Sequence, residues 1–233
     1  MSCCFCTVAI HRSYRRRARL LCADAPGVQW IVLTDDPDDF ADLDVRAIRH
    51  EPTGPMAEDL IGRLPPAGLG FGAAAYHDKR FALAAGLQDF DTAIYVDADS
   101  RITTGLSLGK FPPGLAVLPV VKKTVADHLS VCGSWRIPFF MDLARQLTGD
   151  TNILHHANWC HEALMAVTKD GNESRFLAAW SMAADFLQAR DVHSGEGGVI
   201  GLAACLARWE VDYEVLVDLG ASIQHEGGGP KST

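Results

Sequence analysis

Two aspartates, Asp97 and Asp99, follow an apolar run rich in β-branched residues, Thr92-Ala93-Ile94-Tyr95-Val96. A strand that ends on Asp-x-Asp places carboxylates at the carboxyl edge of a sheet, where open α/β proteins bind ligands. Carboxylate oxygens and substrate phosphates are the ligands that Mg²⁺ and Mn²⁺ prefer. The same pattern also occurs at solvated strand ends and turns. The rest of the chain must therefore decide whether the pair is a metal site beside a phosphate group.

A second candidate group lies near the C-terminus, where His225, Gly228 and Lys231 have the spacing His-x-x-Gly-x-x-Lys. Imidazole is a common metal ligand, glycine lets the backbone approach a phosphate closely, and lysine is a point charge suited to a diphosphate. A glycine-rich tail is otherwise simply disordered. If the tail is ordered, the spacing predicts a metal ligand and a phosphate contact from the same segment.

A third candidate, Glu196, lies among glycines just ahead of a predicted helix. A carboxylate at the floor of a pocket serves as a general base or stabilises a cationic transition state, and glycines around it leave room for a substrate. The alternative is an ordinary glutamate in the first turn of a helix, which the helix dipole favours. The residue types alone leave both interpretations open.

The segment from His155 to Glu162 combines an aromatic ring with hydrogen-bonding side chains. Trp159 offers a face on which a sugar ring stacks, and His156 and Glu162 offer groups that bond hydroxyls. Met165 occupies the last position of a His-Glu-x-x-His pattern, which excludes a zinc-protease helix. Packing of a largely buried tryptophan is the simpler alternative.

The elements that would position these residues alternate between strand-like and helix-like patterns, as in a parallel sheet with crossover helices. We therefore predict a single α/β domain over 1–233 with a mainly parallel sheet flanked by helices. Strands are predicted at 3–10, 29–34, 45–48, 92–96, 115–121, 213–217 and 222–224. Helices are predicted at 13–23 with Ser13 as cap, 57–63, 76–88, 135–147, 159–168, 197–209, and after the cap Asn172 as far as Leu187.

The composition restricts the cellular compartment and the kinds of binding partner that we expect. The net charge is −8, and the short basic cluster from Arg15 to Arg19 fits a solvated helix face better than a nucleic-acid surface. Seven cysteines, an odd number in apolar surroundings, fit a reducing compartment. Neither a targeting segment nor a run of eighteen apolar residues is evident. We expect a cytoplasmic protein with no nucleic-acid partner and no transmembrane segment.

Taken together, these motifs resemble the glycosyltransferases of the GT-A fold, a Rossmann-like class. The likeness rests on the run FDTAIYVDADSRI after a helix, the glutamate before a late helix and the His-x-x-Gly-x-x-Lys tail. It is strongest to the retaining group that includes glycogenin and bacterial lipooligosaccharide galactosyltransferases. The region from the helix to Asp99 is also similar to the blood-group transferases.

The resemblance implies a metal-dependent hexosyltransferase that moves a sugar from a nucleotide diphosphate sugar, UDP-sugar first, to a saccharide, lipid-linked or small-molecule acceptor. It implies Mn²⁺ or Mg²⁺ as cofactor, a nucleotide-binding half over 1–121 and an acceptor half over 122–233. The implied metal ligands are Asp97, Asp99 and His225, and the implied catalytic residue is Glu196. The implied donor contacts are Ala9, Ile10, His11, Tyr14, Lys79, Asp97, Gly228 and Lys231, and the acceptor contacts are His156, Trp159 and Glu162.

Other functions would use some of the same residues, so three points stay open. Both retaining and inverting glycosyltransferases carry an acidic residue near the acceptor, so Glu196 leaves the stereochemistry open. Haloacid-dehalogenase-type phosphatases also end a strand on Asp-x-Asp, but Ser100-Arg101 and the absence of a later Asp-Asp depart from their pattern. A catalytically inactive nucleotide- or glycan-binding module is the third possibility, and it would tolerate the loss of Glu196.

Overall fold

The computed structural model describes residues 2–54, 74–106, 108–118, 123–192 and 195–225. Its centre is a six-stranded sheet of order β3-β2-β1-β4-β7-β6. The strands are Cys3–Ala9 (β1), Trp30–Thr34 (β2), Arg46–Arg49 (β3), Thr92–Val96 (β4), Gly114–Val117 (β6) and Leu164–Thr168 (β7). The neighbours from β3 to β4 pair in parallel, whereas β7 is antiparallel to both β4 and β6. A second, two-stranded sheet joins Ser100–Ile102 (β5) to Ile223–His225 (β8).

Both faces of the sheet are buried, which explains why its strands read as continuous apolar runs. A hydrophobic core lies on each face of the sheet. In β4, Ala93 and Tyr95 belong to one of these cores, and Ile94 and Val96 belong to the other. Because side chains alternate along a strand, Asp97 is expected to continue on the side of Tyr95. The Asp97 carboxylate thereby turns toward the layer that contains the helix of Lys79.

Helices cover the two faces of the sheet and confirm the predicted Rossmann-like α/β architecture with a mainly parallel sheet. The helices are His11–Asp24 (α1), Lys79–Asp89 (α2), Val125–Val131 (α3), Ile137–Thr148 (α4), Glu173–Gln188 (α5), Glu196–Leu206 (α6) and Val217–Ala221 (α7). Short 3₁₀ helices cover Pro37–Phe40, Ala74–Asp78, Ser134–Arg136 and Thr151–His155. No helix among the described residues is long and apolar enough to cross a membrane.

Two predicted elements are wrong in type. The predicted helix at 159–168 is irregular up to Ala163 and then forms β7, because strand pairing on both sides and burial in the sheet override the helical pattern. The predicted strand at 213–217 contains no regular strand, and only Asp212 beside it makes an isolated bridge to Ala116. The sequence pattern also missed β5 and α3, which are only three and seven residues long.

Two predicted caps also differ from the structure. Ser13 lies inside α1, whose N-cap is Ile10, so the helix begins two residues earlier than predicted. Asn172 does occupy the N-cap of α5, but its side chain makes no capping bond and instead donates to Asp170. The predicted helix at 57–63 lies outside the described residues.

Candidate active site

The candidate site is a cleft of about 240 Å³ outside the carboxyl ends of β1 and β4. These strands are parallel neighbours, so the residues that follow them meet at one edge of the sheet. Ile10 and Tyr14, from the end of β1 and the start of α1, line one part of the cleft. Lys79 and Asp97, two of the implied donor contacts, line another part of the cleft. The cleft is lined from Val8 to His225, so the fold brings together side chains that are up to 217 residues apart in the chain.

Asp97, Asp99 and His225, the metal ligands that the resemblance implied, lie close enough together to hold a metal ion. One ligand atom from each lies within 4.8 Å of the others. Two carboxylates and an imidazole on one side, with an open cleft on the other, suit a divalent cation that also binds substrate oxygens. The donor set therefore fits Mn²⁺ or Mg²⁺, and the three residues would hold it.

The β5–β8 pair explains how His225 reaches this group. In the antiparallel register Ser100 lies opposite His225, and Ser100 directly follows Asp99. His225 Nδ1 consequently lies 3.1 Å from Asp99 Oδ1. The hydrogen bond with Asp99, together with that carboxylate's charge, raises the pKa of His225 despite the opposing effect of burial. Burial acts to raise the pKa of Asp99, but the His225 bond and the charge of Arg17 lower it overall.

Lys79 is the buried cation of the cleft. Its Nζ lies 2.9 Å from Asp97 Oδ1 and 3.2 Å from Glu196 Oε1. It also donates to the backbone carbonyl of Glu162 at 3.1 Å. Burial opposes its charge, but the neighbouring carboxylates of Asp97 and Glu196 raise the pKa of Lys79 overall. The ammonium group stays protonated and fixes the positions of both carboxylates.

Glu196 is the first residue of α6 and is 7% exposed. Burial raises its pKa well above the usual range, although the charge of Lys79 acts in the opposite direction. The contact with Lys79 has ion-pair distance, but Oε1 accepts no well-directed hydrogen bond from the described residues. A buried carboxylate with an unsatisfied oxygen at the wall of a cleft has the properties of a general base or of a group that stabilises positive charge.

The glycines around Glu196 do not leave room for a substrate, contrary to our expectation. A Cβ on Gly201 would lie 1.7 Å from the carbonyl oxygen of Asn158, and one on Gly197 would lie 2.3 Å from that of Cys160. A Cβ on Gly198 would lie 2.8 Å from the ring of Phe140. These glycines therefore let α6 approach the segment 158–160, which holds Glu196 beside Glu162.

The other predicted site residues are distributed as follows. Glu162 lines the cleft, whereas the exposed His156 and the partly buried Trp159 do not. Ala9 is buried in β1, and His11 begins α1 with a left-handed φ of 69°. The His11 amide donates to the Asp35 carboxylate. Gly228 and Lys231 lie outside the described residues.

The basic cluster of α1 is largely neutralised by the acidic turn after β2. Arg15 lies 2.8 Å from Asp35, and Arg19 lies 2.6 Å from Asp42. The bond from Arg19 lowers the pKa of Asp42, as expected for an ion pair. Arg15 and Arg19 are thus members of structural ion pairs with the acidic segment that follows β2.

Tyr76 and Tyr95 also line the cleft but were not among the predicted site residues. Tyr95 is two residues before Asp97, so strand alternation places it on the same side and could have identified it. Burial, followed by the charges of Asp97 and Glu196, raises the pKa of Tyr95 well above its usual range. Tyr76 lies in the 3₁₀ turn before Lys79, and no comparable sequence pattern indicated it.

Comparisons with known proteins provide little beyond this geometry. No protein-family model matches the sequence. No curated protein matches it at a significant level. One solved structure with a similar fold is that of the galactosyltransferase LgtC in complex with donor and acceptor sugar analogs. The match covers 90% of this chain and 72% of that one, at 14% identity and a TM-score of 0.49.

Proposed function

We propose that the protein is a metal-dependent glycosyltransferase that moves a hexose from a nucleotide diphosphate sugar, UDP-sugar first, to an acceptor. The observation that supports this proposal is one cleft that combines a metal-ligating group with a buried Lys79–Glu196 pair. The Asp97-x-Asp99 pair would then be the Asp-x-Asp motif of the GT-A class. The division into a nucleotide-binding half (1–121) and an acceptor half (122–233) belongs to the same proposal.

The chain's own side chains have distinct tasks in this reaction. Asp97, Asp99 and His225 would hold Mn²⁺ or Mg²⁺, which when bound supplies Lewis acidity to the leaving diphosphate. Lys79 keeps a positive charge beside the same phosphates. Tyr14, at the cleft wall, would stack on the nucleotide base.

Glu196 is positioned for the transfer step. Its carboxylate is held by Lys79 on the side of the cleft that also contains Glu162. A carboxylate at this position either removes the proton of the acceptor hydroxyl or stabilises positive charge at the anomeric carbon. The first role belongs to an inverting and the second to a retaining reaction, and product anomer analysis by NMR distinguishes them.

Thermal unfolding with UDP, with and without Mn²⁺, tests the proposed donor site. A ligand that binds only the native state stabilises it by about 2.7 kcal/mol at a hundredfold excess over Kd. That corresponds to a rise of roughly 5–10 °C in Tm for a chain of this length. We expect the rise in the wild type with Mn²⁺ and its loss in Asp99→Asn.

The matched control is Asp142→Asn, which removes an exposed carboxylate on α4. We expect this variant to keep the full Mn²⁺-dependent shift. An equal UDP shift for Asp99→Asn and the wild type, with and without Mn²⁺, would contradict the metal site. Hydrolysis of a simple phosphomonoester without any dependence on a nucleotide sugar would favour the phosphatase alternative instead.

A further inference from the structure

Arg136 lies next to the segment that presents Glu196, yet the proposed reaction does not use it. Its guanidinium group fits between two glycines with left-handed φ, Gly133 at 122° and Gly195 at 103°. A Cβ on Gly133 would lie 2.6 Å from Nη2. A Cβ on Gly195 would lie 2.9 Å from the ring of Phe140 and 3.6 Å from Nη1. Gly195 directly precedes Glu196, so the guanidinium lies beside the backbone that leads into the proposed catalytic residue.

Most hydrogen-bonding capacity of Arg136 is unused. A guanidinium has five N–H donors. Nη2 donates to the carbonyl of Cys132, whereas the buried Nε has no hydrogen-bond partner among the described residues. No described carboxylate forms an ion pair with this side chain. Burial lowers the pKa of Arg136, and the charges of Cys132 and Glu162 act against that effect.

Two indole rings hold the guanidinium in place. Its central carbon lies 5.9 Å from the ring centroid of Trp135 and 5.6 Å from that of Trp159. On Trp159, the ring of His128 stacks at 3.6 Å with an interplanar angle of 9°. An arginine held by aromatic faces keeps its planar fork in a fixed orientation. The site is thus preorganised as well as charged.

The electrostatic surroundings of Arg136 are positive. Burial, together with the charges of Arg136 and Lys123, lowers the pKa of His128. Lys123 is anchored close by, because its carbonyl accepts the backbone N–H of Trp159 at 2.8 Å. Two cations thus lie near the stacked imidazole, and Glu162 is the carboxylate whose charge acts on Arg136. An anion would supply both the missing charge and the missing hydrogen-bond acceptors.

We propose that the acceptor of the transfer carries an anionic group, a phosphate or a carboxylate, that binds Arg136. This inference rests on the proposed glycosyltransferase function and specifies the substrate class of its acceptor side. The planar guanidinium would form two parallel hydrogen bonds with such a group, while the acceptor hydroxyl reaches toward Glu196. Arg136 is then a specificity-determining residue, with Trp159 as its aromatic support.

Tryptophan fluorescence tests this proposal, with the wild type saturated with UDP and Mn²⁺ and titrated with three probes. The probes are glucose, glucose 6-phosphate and glucuronic acid, which present no charge, a phosphate and a carboxylate. We expect at least one charged probe to bind about tenfold or more tighter than glucose, as charged hydrogen bonds of this kind provide. The stronger of the two identifies the anionic group. Equal affinity for all three probes would overturn the proposal.

Variants then assign the effect to Arg136. We expect Arg136→Met to lose the preference for charged probes, and Arg136→Lys to regain part of it because it restores the charge without the fork. Arg145→Met, which removes an exposed arginine from the same region of the chain, should keep the full preference. A preference that survives Arg136→Met would also overturn the proposal.

The failure of this inference can be distinguished from the failure of the proposed function. The Mn²⁺-dependent UDP shift in Tm is measured on each variant and reports both folding and the donor site. If the wild type shows that shift but no charge preference, the donor site stands and the anionic acceptor does not. If the wild type shows no shift, the proposed function itself fails. The probe comparison in the wild type is independent of whether any variant folds.

Discussion

At the scale of single residues, Lys79 organises the cleft. It is 5% exposed and contacts two carboxylates that come from different elements, β4 and α6. A buried ion pair is weak support for stability, but it fixes the relative positions of the groups that it joins. Asp97 and Glu196 share this one cation. Lys79 therefore fixes the position of the proposed metal ligand Asp97 relative to the proposed catalytic residue Glu196.

Replacement of Glu196 by Gln separates binding from catalysis. Gln has nearly the same shape but carries no negative charge, so we expect donor binding with Mn²⁺ to change little. Sugar transfer should fall about a hundredfold, the order of a lost general base. Radiolabelled transfer to an acceptor mixture measures this, with the exposed Glu210→Gln as control. A variant with wild-type transfer would favour the inactive binding module or a reaction that does not need Glu196.

At the scale of elements, the β5–β8 pair carries His225 and depends on α1. Arg101 of β5 binds Asp24, the last residue of α1, through two hydrogen bonds of 2.6 and 2.8 Å. The amide of Ile102 also donates to Asp24 at 3.1 Å. The bond with Arg101, helped by the Ile102 amide, lowers the pKa of Asp24 although burial acts to raise it. One carboxylate therefore anchors the strand that positions His225 beside Asp99.

Substitution Asp24→Asn tests this anchor. We expect the free energy of unfolding to fall by about 1–2 kcal/mol at pH 7 and the Mn²⁺-dependent UDP shift to weaken, although Asp24 touches no ligand of the metal. Thermal unfolding measures both effects, with Asp142→Asn as the surface control.

The pH dependence of this effect has a defined sign. The folded pKa of Asp24 is lower than its unfolded value of about 3.9, so its contribution is full above that value and is lost as pH falls through the folded pKa. The difference in stability between wild type and Asp24→Asn should thus be constant near neutrality and disappear in strong acid. A difference that grows toward low pH would contradict this account.

The sequence could predict those parts of the fold and site that depend on local pattern. Asp97 and Asp99 follow an apolar strand, and Glu196 precedes an apolar helix, so their positions in the chain already indicate a sheet edge and a helix start. The type of β7 could not be predicted, because Met165 and its neighbours have the composition of a buried helix as well as of a central strand. The close contacts of the glycines in α6 could not be predicted either. They arise because α6 packs against Asn158, and only the tertiary fold brings the two together.

At the scale of the whole molecule, the seven cysteines are all free, and Cys132 is the most exposed of them. Burial raises the pKa of Cys4 and Cys22 to about 12, so few of their thiols are ionised near neutrality. We expect Ellman's reagent to modify one thiol rapidly in the native protein and all seven after denaturation. Cys132→Ser should remove the rapid phase and Cys3→Ser should not. Several equally rapid thiols would show that the two cores open easily.

The position of β7 in the sheet also determines the order in which the chain can fold during synthesis. β6 pairs within the main sheet only with β7, and β7 separates it from β4. A nascent chain that has emerged through β6 therefore has an unpaired strand until Leu164–Thr168 leaves the ribosome. Completion of the cleft in a nascent chain must also wait for α6, which presents Glu196, and for β8, which carries His225.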